Sequence, residues 1–289
     1  MKRQLDELLD ANLQKINHIS ENKHYSGFSK KLNKEVFIKI FKDPLKYKLE
    51  YKVLRNKGNF LLDFPEYSTL VLKYEDFIPL NKESVNDEDI IKIAELISDF
   101  HRGNWLSIEN DKEISLEKVL EKNVYRLADR KEYRKISKLH SKFLKNISKL
   151  DEEYEKTLVL IHGDFGLRNI MRKDDNLVLI DFERVKYASY FLDFIKYFYQ
   201  DLDNDKLKKE LFLKHYYEHS NEEVISEELE YCMIFLSALG ILNYTKRVED
   251  KEFEELGLKM LEDVENYFRE IWGWLIKVPN FANTLHEYL

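Results

Sequence analysis

The spacing of apolar residues changes period several times along the chain. The opening segment, MKRQLDELLDANL, sets Leu5, Leu8 and Leu9 at helical spacing. Short runs follow at Lys15–Ser20, His24–Lys30 and Glu35–Phe41, parted by polar turns at Glu21–Lys23 and Leu32–Lys34, and these predict strands. Leu45–Asn56 returns to a helical period with Leu49, Val53 and Leu54 on one side, and Ser68–Tyr74 (STLVLKY) reads as a further strand. Ile90, Ile93, Ala94, Ile97 and His101 then recur at helical spacing, and two more helical stretches are expected in Leu116–Leu127 and Glu132–Leu150. Two apolar strands, Thr157–Ile161 and Leu177–Ile180, interrupt the helices, with an Asp174-Asp175-Asn176 turn between them. Everything after Ser189 reads as helix. Phe253, Leu256, Met260, Leu261, Val264, Phe268 and Ile271 form one stripe of a kind that belongs to a core. The expected class is α+β. A small antiparallel-sheet lobe, residues 1–78, joins a larger, mainly helical lobe, residues 79–289, through Glu75–Asn81, where Pro79 lies.

Composition narrows this picture. A chain of 289 residues, 44% hydrophobic and 35% charged, can bury a core and stay in solution. Its one cysteine, Cys232, excludes an internal disulfide and suits a reducing, cytoplasmic setting. Within the apolar run YCMIFLSALGIL that thiol is expected to be buried. No run of about 20 apolar residues offers a membrane span, and the first residues lack the apolar core of a signal peptide. A net charge of −7 argues against nucleic acid as a partner. No internal repeat or low-complexity linker is present.

The candidate chemistry lies in LVLIHGDFGLRNIMRKDDNLVLIDFE, Leu158 to Glu183. Asp164 and Asn169 share one loop, and Asp181 ends the next apolar run. A strand–loop–strand of this kind brings a carboxylate, a carboxamide and a second carboxylate to one end of a small sheet. Those groups can hold magnesium and accept a proton from a hydroxyl, which is most of what phosphoryl transfer asks of a protein. Each residue alone would pass for an ordinary turn or cap.

HGDFGLRN, His162 to Asn169, resembles the catalytic loop HGDxxxxN of the aminoglycoside phosphotransferase and choline kinase superfamily, the small-molecule branch of the protein-kinase-like fold. IDFE, Ile180 to Glu183, resembles its metal-binding segment. The resemblance implies a two-lobed kinase-like fold that moves the γ-phosphoryl group of ATP, with Mg2+, to a hydroxyl of a small molecule. GTP is the other donor that the sequence leaves open. By position, Asp164 resembles the catalytic aspartate, which accepts or orients the hydroxyl proton. Asn169 and Asp181 resemble the magnesium ligands. His162 resembles a residue that braces the loop, and Gly163 one that permits a tight backbone. VFIK, Val36 to Lys39, resembles the VAIK strand motif. Lys39 would contact the α- and β-phosphates and Glu50, on the next helix, would hold it. Glu35, Lys42 and Lys48 are the competitors under another register. Lys73–Phe77 (KYEDF) falls where the family's hinge binds adenine through backbone groups, and Asp193 resembles a structural aspartate that bonds back to the loop.

One departure from the family pattern is plain. The phosphate-covering loop should be rich in glycine, but here it reads SENKHYSG, with Gly27 alone and late. Ser20, Asn22 and Ser26 are the polar groups that could serve instead. The departure favours a pseudokinase-like nucleotide-binding or scaffold protein; the presence of Lys39, Glu50, Asp164, Asn169 and Asp181 opposes that.

Only 12 positions separate Asp181 from Asp193, and no APE motif occurs, so there is little room for a protein-docking segment and a small acceptor is expected. Glu249, Asp250, Glu252, Glu254 and Glu255, followed by Glu262, Asp263 and Glu265, could draw a cationic acceptor such as an aminoglycoside or choline; equally, they suit a solvated helix face. Trp272 and Trp274 offer an aromatic cage or simply core. Glu183 directly after DF is common in choline-kinase-like members and tilts the reading toward an amino-alcohol or sugar kinase.

Overall fold

A computed structural model of the chain describes residues 2–17, 21–55, 58–103 and 115–277, with residues 271–277 as backbone only. In chain order the first elements are α1 (Lys2–Leu9), β1 (Gln14–Ile16), β2 (Lys23–Ser29), β3 (Lys34–Ile40), α2 (Pro44–Leu54), β4 (Phe60–Phe64), β5 (Thr69–Lys73), β6 (Ile78–Pro79) and α3 (Asp87–His101). Then come α4 (Leu116–Tyr125), α5 (Tyr133–Phe143), α6 (Ile147–Glu155), β7 (Leu158–Ile161), β8 (Ile170–Lys173), β9 (Asn176–Leu179) and β10 (Lys186–Ser189). The chain continues with α7 (Phe191–Lys196), α8 (Lys206–Ser220), α9 (Glu227–Thr245) and α10 (Lys251–Lys277). A small antiparallel sheet occupies the N-terminal region and helices dominate the C-terminal region, which is the α+β class the sequence implies. The chain divides into two compact units. One takes residues 1–110, 160–187 and 205–220, the other residues 111–159, 188–204 and 221–289.

The first unit is built on a five-stranded antiparallel sheet in the order β1-β2-β3-β5-β4. Alternation sorts β3 by face. Val36, Ile38 and Ile40 join Leu5, Leu9 and Leu13 in one buried cluster under α1, while Phe37 and Lys39 point to the opposite face. Register fixes Lys39 between His24 on β2 and Leu70 on β5. Helix α2 starts promptly after β3 because Asp43 caps it, accepting from the Leu45 N–H at 2.9 Å, and Pro44 fills the first turn. That start sets Glu50 on the buried side of α2.

A three-stranded sheet, β6-β8-β9, carries the loop that follows β7 and the segment that leaves β9. It is braced by α3, whose Asp89 both completes a capping box with Asn86 and accepts from Arg172 on β8 at 2.6 Å. Helix α8 packs on α3, with His101 Nδ1 2.9 Å from the Tyr216 hydroxyl.

In the second unit α9 is buried around most of its circumference, Cys232 included, and packs against α10. The long helix expected over Glu132–Leu150 is instead α5, a 3-10 turn at Leu144–Asn146, and α6. Asn146, with φ near −117°, breaks the helical backbone there. Asp193 is buried on α7.

Candidate active site

Lys39 is the centre of the site. Its Nζ lies 2.6 Å from Glu50 Oε2 and 2.6 Å from Asp181 Oδ1, with Glu183 Oε2 at 3.4 Å and the Phe41 ring centroid at 4.7 Å. Lys39 and Glu50 are almost wholly buried, at 5% and 3% exposure. Burial works against the Lys39 charge, but Glu50 and Asp181 outweigh it and hold the ammonium above its ordinary range. Burial pushes the Glu50 carboxyl up to about 7, against the pull of Lys39. Asp181 sits where β9 ends, with φ at +64°, a left-handed backbone that costs an L-residue roughly 1 kcal/mol and that aspartate tolerates better than most.

Glu183 completes this cluster. It accepts from Asn22 Nδ2 at 2.6 Å and from Lys46 Nζ at 2.9 Å. Burial raises its pKa, and Lys39, Lys46 and Asn22 together overcome that and leave it below the ordinary carboxylate value. Oxygens of Glu50, Asp181 and Glu183 lie within 4.8 Å of one another.

The catalytic-type loop is held at both ends. His162, fully buried, places Nε2 2.9 Å from the Ile180 carbonyl, and its ring packs on Phe182, which stacks on Phe100. Gly163 has φ +77°, and a Cβ there would stand 2.2 Å from the Arg184 carbonyl oxygen. Only glycine suits both the conformation and the close approach. Asn169 donates from Nδ2 to the Asp164 carbonyl at 2.7 Å, while its own carbonyl accepts from the Ile180 N–H at 3.0 Å. The loop and the Asp181 segment are therefore joined through His162, Gly163 and Asn169. The Asp164 carboxylate is gripped by Arg168, whose Nη2 is 2.6 Å from each oxygen.

A cavity of about 890 Å3 runs along the exposed face of the β2–β3–β5 sheet to the end of β9. Phe37, Leu72, Phe77 and Ile180 give it an apolar part; Lys39, Asn169, Asp181 and Glu183 give it a charged end. His24 stacks on Phe37 with ring centroids 5.4 Å apart. The Lys73–Phe77 segment borders the cavity. Within it Glu75 pairs with both Lys73 and Lys173 at 2.9 Å, and these two lysines hold its carboxyl below the usual range. Asp164 is not among the lining residues and connects to the cavity through Asn169. Glu35, Lys42 and Lys48, the competitors of the Lys39 register, are also absent from the lining.

The glycine-poor loop has its own anchor. Asn22 reaches Glu183 through its amide nitrogen and accepts from the Lys42 N–H at 3.1 Å through its oxygen. Gly27 serves the sheet instead: it pairs with Val36, and a Cβ there would stand 3.0 Å from the Asn12 carbonyl. Ser20 lies outside the described residues.

Three of the acidic residues on α10 are engaged within its own unit. Glu254 pairs with Arg130, Asp263 accepts from Tyr199 at 2.6 Å, and Glu265 pairs with Lys135 at 2.9 Å. The side chains of Trp272 and Trp274 lie outside the described residues. Sequence reasoning missed Lys46, Lys173 and Arg168. The first two become relevant only through partners distant in sequence; Arg168 was visible as a basic residue inside the motif itself.

Comparisons with known proteins agree with this architecture. The model of the ecdysteroid kinase-like family matches residues 95–228. No curated protein sequence matches the chain. Among solved structures, choline kinase from Streptococcus pneumoniae is similar at 18% identity and a TM-score of 0.63, covering 92% of this chain and 96% of that one. The ethanolamine kinase of Plasmodium vivax is similar at 17% identity and TM-score 0.60, with 90% and 83% covered. A thermostable mutant of aminoglycoside phosphotransferase APH(4)-Ia is similar at 10% identity and TM-score 0.64, with 91% and 98% covered. At these identities the likeness is one of fold, and the chain has the protein-kinase-like fold of the small-molecule kinases.

Proposed function

We propose that this protein is a phosphotransferase that moves the γ-phosphoryl group of ATP, in a magnesium-dependent reaction, to a hydroxyl of a small molecule. The observation that carries the reading is Lys39, buried between Glu50 and Asp181 at 2.6 Å from each, at the charged end of a cavity wide enough for a nucleotide. Residues 1–78 would form the nucleotide lobe and residues 79–289 the catalytic and acceptor lobe. The apolar part of the cavity would take the base and Lys39 the α- and β-phosphates. Asp164 would receive the acceptor's proton. Solved neighbours support the donor: the pneumococcal choline kinase has been seen with AMP, and APH(4)-Ia with ADP and hygromycin B.

The donor set fits magnesium, which favours hard oxygen ligands. Asp181 offers a carboxylate, and Asn169, its Nδ2 committed to the Asp164 carbonyl, turns Oδ1 the other way. Magnesium held by these two would neutralise charge developing on the transferred group. The protein's own groups orient: Lys39 is fixed by Glu50, and Asp164 is fixed by Asn169 and Arg168.

The test is a thermal shift with magnesium and ATP or GTP, then ATP-consumption screening over choline, ethanolamine, sugars and aminoglycosides. Acceptor-dependent consumption that Asp164→Ala abolishes, with nucleotide binding kept, is the expected outcome. A choline or ethanolamine acceptor has a specific observation behind it, the half-buried Glu183 directly after Phe182. Nucleotide binding with no consumption would favour the scaffold reading that the glycine-poor loop suggests.

A further inference from the structure

Residues 75–77 carry the chain from β5, in the five-stranded sheet, to β6, in the three-stranded one. The Tyr74 N–H still donates to the Glu35 carbonyl at 3.0 Å, and Ile78 already pairs with Arg172 on β8. Within the crossing, among the described residues, the backbone bond is a short turn from the Phe77 N–H to the Glu75 carbonyl at 3.0 Å. Strand β6 adds two residues of pairing. Side chains supply the stronger tie. Glu75 Oε1 pairs with Lys73 Nζ, at the end of β5, and Oε2 with Lys173 Nζ, at the end of β8, each at 2.9 Å. All three residues line the cavity, and the Glu75 side chain is 11% exposed. An isolated surface pair contributes little. This carboxylate is largely buried, takes one ammonium on each oxygen and joins two sheets, so its loss leaves both lysines without their anion.

We propose that Glu75 is the positioning residue of the cavity's apolar end: by holding Lys73 and Lys173 together it fixes the gap between Phe37 and Leu72 on the five-stranded sheet and Val178 and Ile180 on and after β9. That gap sets how firmly a flat base is gripped. The proposal rests on the phosphotransferase reading, which gives the cavity to a nucleotide. A gap held ready spares the ligand the cost of ordering it, so the bridge adds affinity without contacting the base. At the charged end Lys39 reaches Asp181 and Lys46 reaches Glu183. None of the three members of the Glu75 bridge is a group that the proposed reaction engages. The bridge therefore keeps the two sheets in register while the charged end takes up phosphates and metal.

The ligand-free protein gives the first readout, by amide hydrogen exchange. Glu75→Gln and Lys173→Met should each speed exchange over residues 74–80 by at least about fivefold and leave β3 and α3 unchanged, while Lys173→Arg, which keeps the cation, stays close to the wild type. Unchanged exchange over residues 74–80 in both neutral variants overturns the proposal. Calorimetry with adenosine gives the second readout. Glu75→Gln and Lys173→Met should weaken adenosine binding by about tenfold, and Lys173→Arg should restore most of it. Magnesium ATP should lose the same factor, because the loss lies at the base. Adenosine binding that is equal in all the proteins overturns the proposal. So does a loss for magnesium ATP larger than that for adenosine, which would mean that the whole cavity had loosened. A wild type that binds neither adenosine nor magnesium ATP would sink the phosphotransferase reading and the base-end role together, and the exchange rates would still decide whether Glu75 holds the crossing.

Discussion

A carboxyl buried as deeply as Glu50 ordinarily gives up its charge, and Lys39 at 2.6 Å opposes that. The balance leaves the group with a pKa raised from 4.5 to about 7. The folded state therefore favours protonated Glu50. The stability this contributes is fully present below pH 4.5 and is lost as pH rises through about 7, an effect on the order of a few kcal/mol. Glu50→Gln removes this dependence. The Tm of Glu50→Gln minus that of the wild type should climb between pH 5 and pH 8; a flat difference would mean that Glu50 does not titrate in this range. At this scale the sequence was informative where motif and order coincide: Lys39 and Glu50 stand on consecutive elements and meet. It was silent on Lys46, whose relevance comes from Glu183, 137 positions away.

The loop between β1 and β2 shows how an element can do without glycine. Asn22 ties it to Glu183, on the segment that leaves β9, and to the Lys42 backbone. A hydrogen bond to a charged group contributes about 1.5–3 kcal/mol, and losing it should act locally because Asn22 lies outside the buried core. Asn22→Ala is expected to lower Tm by only a few degrees while trypsin cleavage after Lys23 accelerates several-fold and ATP binds more weakly. Equal cleavage rates in the two proteins would show that Asn22 does not restrain the loop. Strands β2, β3 and β5 were legible as short apolar runs bounded by polar turns, and in β3 the alternate residues Val36, Ile38 and Ile40 share one buried cluster. Strand β8 (IMRK) was not: its place is set by pairing with β9 across a turn where Asp174 adopts φ +53°, and by Arg172 reaching Asp89. Two-residue β6 is shorter than any periodic signal.

At the scale of the whole molecule, a net charge of −7 does not pre-select an anionic ligand. Three of the eight carboxylates between Glu249 and Glu265, legible as a charge pattern, are engaged by Arg130, Tyr199 and Lys135, contacts that no spacing rule foretells. The cavity itself is nearly balanced: Lys39, Lys73 and Lys173 face Glu50, Glu75, Asp181 and Glu183. A free nucleotide with about four negative charges gains no net attraction from such a lining, so its own divalent cation must supply it. ATP should therefore bind at least about tenfold more weakly in EDTA than with magnesium, and by reciprocity the cation should bind more tightly once ATP is present. Calorimetry of each ligand with and without the other measures both arms, and equal affinities would remove the linkage. The pairing of Lys39 with Asp181 gives this its physical form. Under the proposed function Lys39 stands beside Asp181 as a cation would, so magnesium binding there would be an exchange of partners, the ammonium passing to the phosphates and the carboxylate to the metal.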